Sequence, residues 1–106
     1  MLKSVNVQEA TNLIKSNDDI QLLDIRSMME VNMTGAIEGS ILIDLNEPNS
    51  EKLVHSLDKN KRYLLYCVTG TRSGALATYM EKHGFNELYN LDYAGHSQLA
   101  MALKNN

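Results

Sequence analysis

The chain has 106 residues, 43% of them apolar and 22% charged, with a formal net charge of −3. That length supports one domain, residues 1–106, able to bury roughly 60–70% of its unfolded surface. The mild acidity gives no reason to expect a nucleic acid or an anionic membrane as partner. A single cysteine excludes an internal disulfide, and with no signal-peptide pattern at the start it points to a reducing compartment, the cytoplasm. No apolar run approaches the ~20 residues that span a bilayer. Six methionines and no tryptophan suggest a soft, adaptable core rather than a cofactor site.

Lys3-Ser4-Val5 reads as a first strand or lead-in. Asn6 is placed to cap a helix, with Glu9 at its third position completing a capping box and Ala10, Leu13 and Ile14 as its apolar face. Ser16-Asn17-Asp18-Asp19 is a polar turn. Ile20 to Ile25 is a near-continuous apolar strand, the pattern of a sheet covered on both faces. Asp24 interrupts it, and a carboxylate there needs a partner, for which Arg26 is at hand. Ser27 caps a short helix to about Met33, in which Met28, Met29 and Met33 are expected to pack inward. Thr34-Gly35 ends it, 36–40 is a loop, and Ile41 to Leu45 is another strand, with Asp44 capping the loop that follows. A helix begins at Glu47-Pro48-Asn49 and reaches about Leu57, its stripe being Leu53, Val54 and Leu57; the one proline sits near its first turn, where it is tolerated.

The most informative stretch is Tyr63-Leu64-Leu65-Tyr66-Cys67-Val68-Thr69-Gly70-Thr71-Arg72-Ser73-Gly74. It reads as a buried strand, Cys67 at its end, a tight loop, and a helix opening at Arg72 with Ala75, Leu76, Tyr79 and Met80 on one face. In an open parallel sheet, ligands sit at the carboxyl ends of strands. A strand-to-helix loop turns backbone N–H groups inward and adds the positive end of the helix, which favours a thiolate. Lys59, Lys61, Arg62 and Arg72 make residues 59–80 basic, against the acidic background. The alternative is a buried structural cysteine that happens to end a strand.

Beyond this stretch, His83 is expected to sit at a helix end, where positive charge is favourable, with Gly84 as a left-handed cap. His55 reads as a solvated or hydrogen-bond-satisfied histidine, since no cysteine or second histidine has metal-ligand spacing with it. Glu87 to Leu91 is the last strand. His96 follows a strand end on the same edge as Cys67, which gives it a route toward the Cys67 loop. Leu99, Met101, Ala102 and Leu103 mark a closing amphipathic helix, and 104–106 a frayed end. Strands alternating with helices at this spacing imply a three-layer α/β domain with a mostly parallel sheet of about five strands.

Cys67-Val68-Thr69-Gly70-Thr71-Arg72-Ser73 resembles the C-x-x-G-x-R-S loop of rhodanese-type sulfurtransferases. Leu22-Leu23-Asp24-Ile25-Arg26 is similar to that family's early L-[LI]-D-[VI]-R strand, and Gly35-Ala36-Ile37-Glu38-Gly39-Ser40-Ile41 to its G-H-I-P-G-A-x segment. The resemblance runs from about Val5 to Leu103. It implies a single rhodanese-like domain in which Cys67 is catalytic, Val68, Thr69, Gly70, Thr71, Arg72 and Ser73 form the substrate-binding loop, and Asp24 and Arg26 are architectural. It implies neither metal nor cofactor. The chain departs from the family where Ala36 replaces histidine, Glu38 replaces proline, and Tyr93-Ala94-Gly95-His96 retains one glycine of a pair and lacks a following tryptophan.

The residues and the resemblance lead to the same first reading. A Cys67 thiolate takes a sulfane sulfur from thiosulfate or a persulfide, and a thiol or cyanide removes it, by covalent catalysis in two half-reactions. A protein donor or acceptor of sulfur is a possible partner. A second reading is a non-catalytic persulfide carrier or redox-sensing module acting on a protein partner. A third is phosphate or arsenate chemistry, which is disfavoured because C-x4-R is one residue shorter than the C-x5-R loop of cysteine-dependent phosphatases.

Overall fold

The computed structural model describes residues 1–17 and 19–105, so Asp18 of the expected polar turn and the terminal Asn106 lie outside the described residues. Five strands, β1 (Leu2–Val5), β2 (Ile20–Asp24), β3 (Ile41–Leu42), β4 (Arg62–Tyr66) and β5 (Glu87–Leu91), alternate with five helices. These are α1 (Val7–Ser16), α2 (Met28–Thr34), α3 (Ser50–His55), α4 (Thr71–Lys82) and α5 (His96–Lys104). The sheet order is β1-β5-β4-β2-β3, and every pairing is parallel. This is the expected three-layer arrangement.

The period of two along a strand divides the core. Tyr63, Leu65 and Cys67 face one layer with Val54 of α3 and Leu76, Ala77 and Met80 of α4. Leu64 and Tyr66 face the other with Ala10 of α1 and Leu99 of α5. Because Cys67 has the parity of Leu65, its side chain turns toward the start of α4 rather than toward α5.

The local signals act as the chain pattern implied at the Asn6 capping box and at the Ser27 cap. Asn6 Oδ1 accepts from the Glu9 amide at 2.8 Å, and Glu9 Oε1 accepts from the Asn6 amide at 3.0 Å. Ser27 and Glu30 repeat this at the start of α2. Asp24 and Arg26 form a buried ion pair at 2.7 Å. The guanidinium also donates to Thr34 Oγ1 at 2.6 Å and to the Gly35 carbonyl at 2.8 Å, so the pair ties the end of β2 to the end of α2.

Several expectations are corrected. β3 pairs over only two residues, not five, because β2 ends at Asp24; the Ile43 amide still donates to the Asp24 carbonyl at 2.9 Å, after which the chain turns, with Asp44 accepting from the Asn46 amide. The third helix covers Ser50–His55 rather than beginning near Pro48 and reaching Leu57. Met28, Met29 and Met33 do not pack inward: they are 50%, 72% and 79% exposed. α2 is one short segment with no buried residue, lying across the end of the sheet rather than on a face. The inward face of α4 is Ser73, Leu76, Ala77 and Met80; Ala75 is exposed, because the helix starts beneath Cys67 and Ser73 sets its phase. Met101 is exposed as well.

Candidate functional site

The loop from β4 to α4 is four residues long, 67–70. Gly70 adopts a φ of +98°, and a Cβ there would lie 2.7 Å from the Leu91 carbonyl oxygen. Only glycine satisfies both the left-handed backbone and this close approach. The turn aims amides back at the sulfur. Cys67 Sγ accepts from the Gly70 amide at 3.2 Å and the Ser73 amide at 3.5 Å, and Ser73 Oγ lies 3.4 Å away. Cys67 is 1% exposed. That burial opposes ionisation, but the Ser73 hydroxyl and the amides of Ser73, Thr69 and Gly70 outweigh it and hold the thiol below its ordinary value. Donors to a charged sulfur are the stronger kind of hydrogen bond.

This geometry carries a pH prediction. The fraction of Cys67 present as thiolate, read by the rate of alkylation against pH, is expected to rise through a midpoint below the ordinary thiol value of about 8.5. Ser73→Ala removes a donor that favours the charged form, so its midpoint is expected to move upward. An unmoved midpoint would show that the hydroxyl does not hold the sulfur.

Arg72 does not stand over the loop as a free cation. It makes a bidentate pair with Glu30 on α2, at 2.7 and 3.1 Å. Glu30 was not singled out from the sequence, although it is the visible third position of the Ser27 capping box. Arg72, together with the Ser27 amide, holds the Glu30 carboxyl down at about 2. The pair links the loop-bearing helix α4 to α2. Since the folded carboxyl is depressed, its contribution to stability is present above its unfolded value of about 4.3 and fades as pH falls toward 2. Acid titration of stability should therefore be shallower in Glu30→Gln over that window, and unchanged acid sensitivity would remove Glu30 from the linkage.

The basic segment expected around the loop does not gather there. Lys59, Lys61 and Arg62 lie at the opposite, amino end of β4, roughly 16 Å from Cys67 at ~3.3 Å per strand residue. Arg62 is engaged by Glu87 at 3.1 Å, and Lys59 stands over the Phe85 ring.

The other wall of the site comes from the end of β5. Asn90, buried, donates to the Gly70 carbonyl at 3.2 Å and to Asp92 Oδ1 at 2.6 Å. Ser4 Oγ donates to the other Asp92 oxygen. Asn90 was missed, yet it is a polar residue between the apolar Tyr89 and Leu91 of β5, the same signal that marked Asp24. The Gly95 amide donates to Gln98 Oε1 at 2.9 Å. The His96 amide donates to the Cys67 carbonyl at 2.8 Å. His96 thus meets the loop through its backbone, while its ring stacks on Tyr66, centroids 6.2 Å apart. Burial, and then the nearby Arg26, push that imidazole below its ordinary value. The Tyr66 hydroxyl is buried without a hydrogen-bond partner. Burial pushes it up to about 12, with Ser40 and Asp24 close enough to bear on its ionisation.

Two cavities flank the loop. One, about 570 Å³, is lined by 68–71, Asp92, Tyr93, Ala94 and Gln98. The other, about 280 Å³, lies between Val68, Met33, His96 and the Arg26 and Glu30 side chains. Among the described residues no group of three or more His, Cys, Asp or Glu side chains is placed to hold a metal. His55 sits away from this edge, its Nε2 2.8 Å from the Tyr79 hydroxyl.

A parallel sheet that delivers a lone cysteine into a nest of amides at a helix start defines a class of α/β protein built around one cysteine-bearing loop. The chain belongs to the rhodanese-like domain family, which matches residues 6–94. It is 30% identical over 94 residues to the thiosulfate sulfurtransferase GlpE of Coxiella burnetii, covering 86% of this chain and 81% of that protein. It is 36% identical over 91 residues to a tRNA uridine(34) hydroxylase of Nitrobacter winogradskyi, covering 82% of this chain but spanning only 35% of that protein's length. The crystal structure of a rhodanese-like domain protein from Staphylococcus aureus superposes with a TM-score of 0.77 at 27% identity, covering 92% of this chain and 90% of that one. No helix of the described residues is long and apolar enough to cross a membrane.

Proposed function

We propose that this protein is a sulfurtransferase that carries a sulfane sulfur as a Cys67 persulfide. The observation that carries the reading is the Sγ nest: two amides and a hydroxyl within 3.5 Å of a lone, buried sulfur. With thiosulfate, the Cys67 thiolate attacks the outer sulfur, the S–S bond of the donor breaks, and sulfite leaves with the bonding pair. The product is Cys67–S–S⁻, with the charge now on the added sulfur. Cyanide then attacks that sulfur and departs as thiocyanate, and the Cys67 thiolate is restored. Each half-reaction conserves charge, and neither needs a second cysteine or a redox partner. The added sulfur extends about 2 Å beyond Sγ, which moves the reactive atom from a buried position toward the two cavities. Loop amides that face the anion throughout stabilise charge without reorganising. Val68, Thr69 and Thr71 line the path, and Asp24 with Arg26 and Glu30 with Arg72 brace it.

The likeness to the thiosulfate sulfurtransferase GlpE of Coxiella burnetii supports thiosulfate as a donor. The short loop and the engagement of Arg72 by Glu30 weigh against phosphate or arsenate as substrate, because no guanidinium is left to clamp a tetrahedral oxyanion. Intact-mass spectrometry before and after thiosulfate, then after cyanide, tests the reading. The expected result is a gain of one sulfur on Cys67 that cyanide removes. A thiol that alkylates readily yet never takes up sulfur from thiosulfate or from a small-molecule persulfide would overturn it.

A further inference from the structure

Eight large apolar side chains are exposed among the described residues. Six of them, Met28, Met29, Met33, Leu45, Val68 and Tyr93, lie on segments that follow the carboxyl ends of β2, β3, β4 and β5. That is the edge on which Cys67 sits. Val68 and Gln98 line both cavities beside the loop, with Met33 in one and Tyr93 in the other. Tyr93 is 99% exposed and is the one non-glycine residue with positive φ among the described residues, at +61°. A bulky residue held in that region with its whole ring in water is doubly unfavourable in isolation, so its position makes sense as displayed contact area.

The charges of this edge argue what would cover it. The segments 25–35, 43–49, 67–72 and 92–97 contain no lysine, two arginines and four acids. Both arginines are spent, Arg26 on Asp24 and Arg72 on Glu30. Asp44, Glu47 and Asp92 are in none of the ion pairs formed by the described residues. A free dianion crossing this rim meets acidic charge and gains nothing from methionine or tyrosine. An apolar surface with basic neighbours gains from both.

We propose that the apolar rim around Cys67 docks a protein that presents its own cysteine on an apolar tip flanked by lysine or arginine, and that this cysteine gives sulfur to Cys67 or takes it away. The inference rests on the sulfur-transfer reading above. In the accepting direction, the partner thiolate R–S⁻ attacks the outer sulfur of Cys67–S–SH. The Cys67–S bond to that sulfur breaks, the Cys67 thiolate leaves with the electron pair, and R–S–SH is formed. The donating direction is the reverse, so no oxidant or reductant enters.

The test loads Cys67 with glutathione persulfide and follows single-turnover discharge by cyanide and by two capped peptides, Lys-Leu-Leu-Cys-Leu-Leu-Lys and Glu-Ser-Ser-Cys-Ser-Ser-Glu. Each peptide rate is divided by that peptide's rate with free glutathione persulfide, which removes differences in thiol reactivity. The basic, apolar peptide is expected to be faster by about tenfold or more after this correction, with a gap that narrows as salt is raised. In the double variant Met29→Gln, Met33→Gln, the ratio of the basic-peptide rate to the cyanide rate is expected to fall by roughly threefold or more. Equal corrected peptide rates, or a ratio unmoved by the double variant, would overturn the docking proposal while leaving sulfur transfer intact. Failure of Cys67 to load at all would overturn the sulfur-transfer reading and the docking proposal with it.

Discussion

Replacing Cys67 by serine is expected to lower thiocyanate formation from thiosulfate and cyanide by roughly 10⁴-fold or more, the scale seen when a covalent nucleophile is removed. A serine hydroxyl is not ionised near neutrality and offers no sulfur to form the persulfide bond, so the loop's amides have no anion to stabilise. The fold should survive. Serine is close in size, its oxygen can accept from the Gly70 and Ser73 amides that now face Sγ, and the stability change should stay within about 1–2 kcal/mol. Parallel measurement of turnover and thermal unfolding separates the two. Retained turnover in a folded Cys67→Ser protein would mean that another group carries the sulfur.

Gly95→Ala is expected to be the most damaging single methyl in the chain. Its backbone is extended, with φ −157°, which alanine adopts freely, so the cost is steric rather than conformational. A Cβ there would lie 2.1 Å from the Val68 carbonyl oxygen and 2.4 Å from both the Cys67 oxygen and the Val68 carbonyl carbon. All three are backbone atoms, so no side chain can swing away. The start of α5 must lift from the end of β4, breaking the His96 amide bond to the Cys67 carbonyl and unseating the His96 ring from Tyr66. A loss of about 3–5 kcal/mol is expected, at the upper end of single-substitution effects. Gly74→Ala is the control: the group it meets most closely is the Asn90 side-chain amide, at 3.1 Å rather than 2.1 Å, and it meets no backbone atom of the loop. Chemical denaturation of the two variants checks the contrast; alanine inside α4 gains helix propensity, so equal losses would show that the Gly95 cost does not come from its approach to the loop backbone.

The two substitutions show different degrees of legibility. Cys67 could be read from the chain because its local signals agree: an apolar run, a cysteine, a glycine and a helical period in immediate succession. Gly95 could be seen only as a retained family glycine. Its role depends on a backbone 27 positions earlier in the chain, which nothing local encodes. Asp24 and Arg26 were paired correctly because they are two residues apart. Arg72 was given no partner by the sequence reading, since Glu30 is 42 residues away and nothing local links the two. The methionines of α2 were expected to pack inward because their spacing is helical. Spacing reports which side chains share a face, whereas whether that face meets the core depends on where the helix lies.

Local order of elements, the Asn6–Glu9 capping box, the Ser27 cap and the turn that follows Cys67 were therefore determined by the sequence itself, because each rests on interactions within a few residues, where backbone geometry leaves little choice. The parallel sheet followed from the alternation of strands and helices. Only the tertiary structure decided which charges reach the loop. It sent Lys59, Lys61 and Arg62 to the far end of β4, engaged Arg72 with Glu30, and brought β5 and α5 against the cysteine. It also left methionine, valine and tyrosine side chains exposed at the sheet edge that bears the sulfur. Charges and apolar groups act through space, and the distances that decide their effect are set by the packing of segments far apart in the chain.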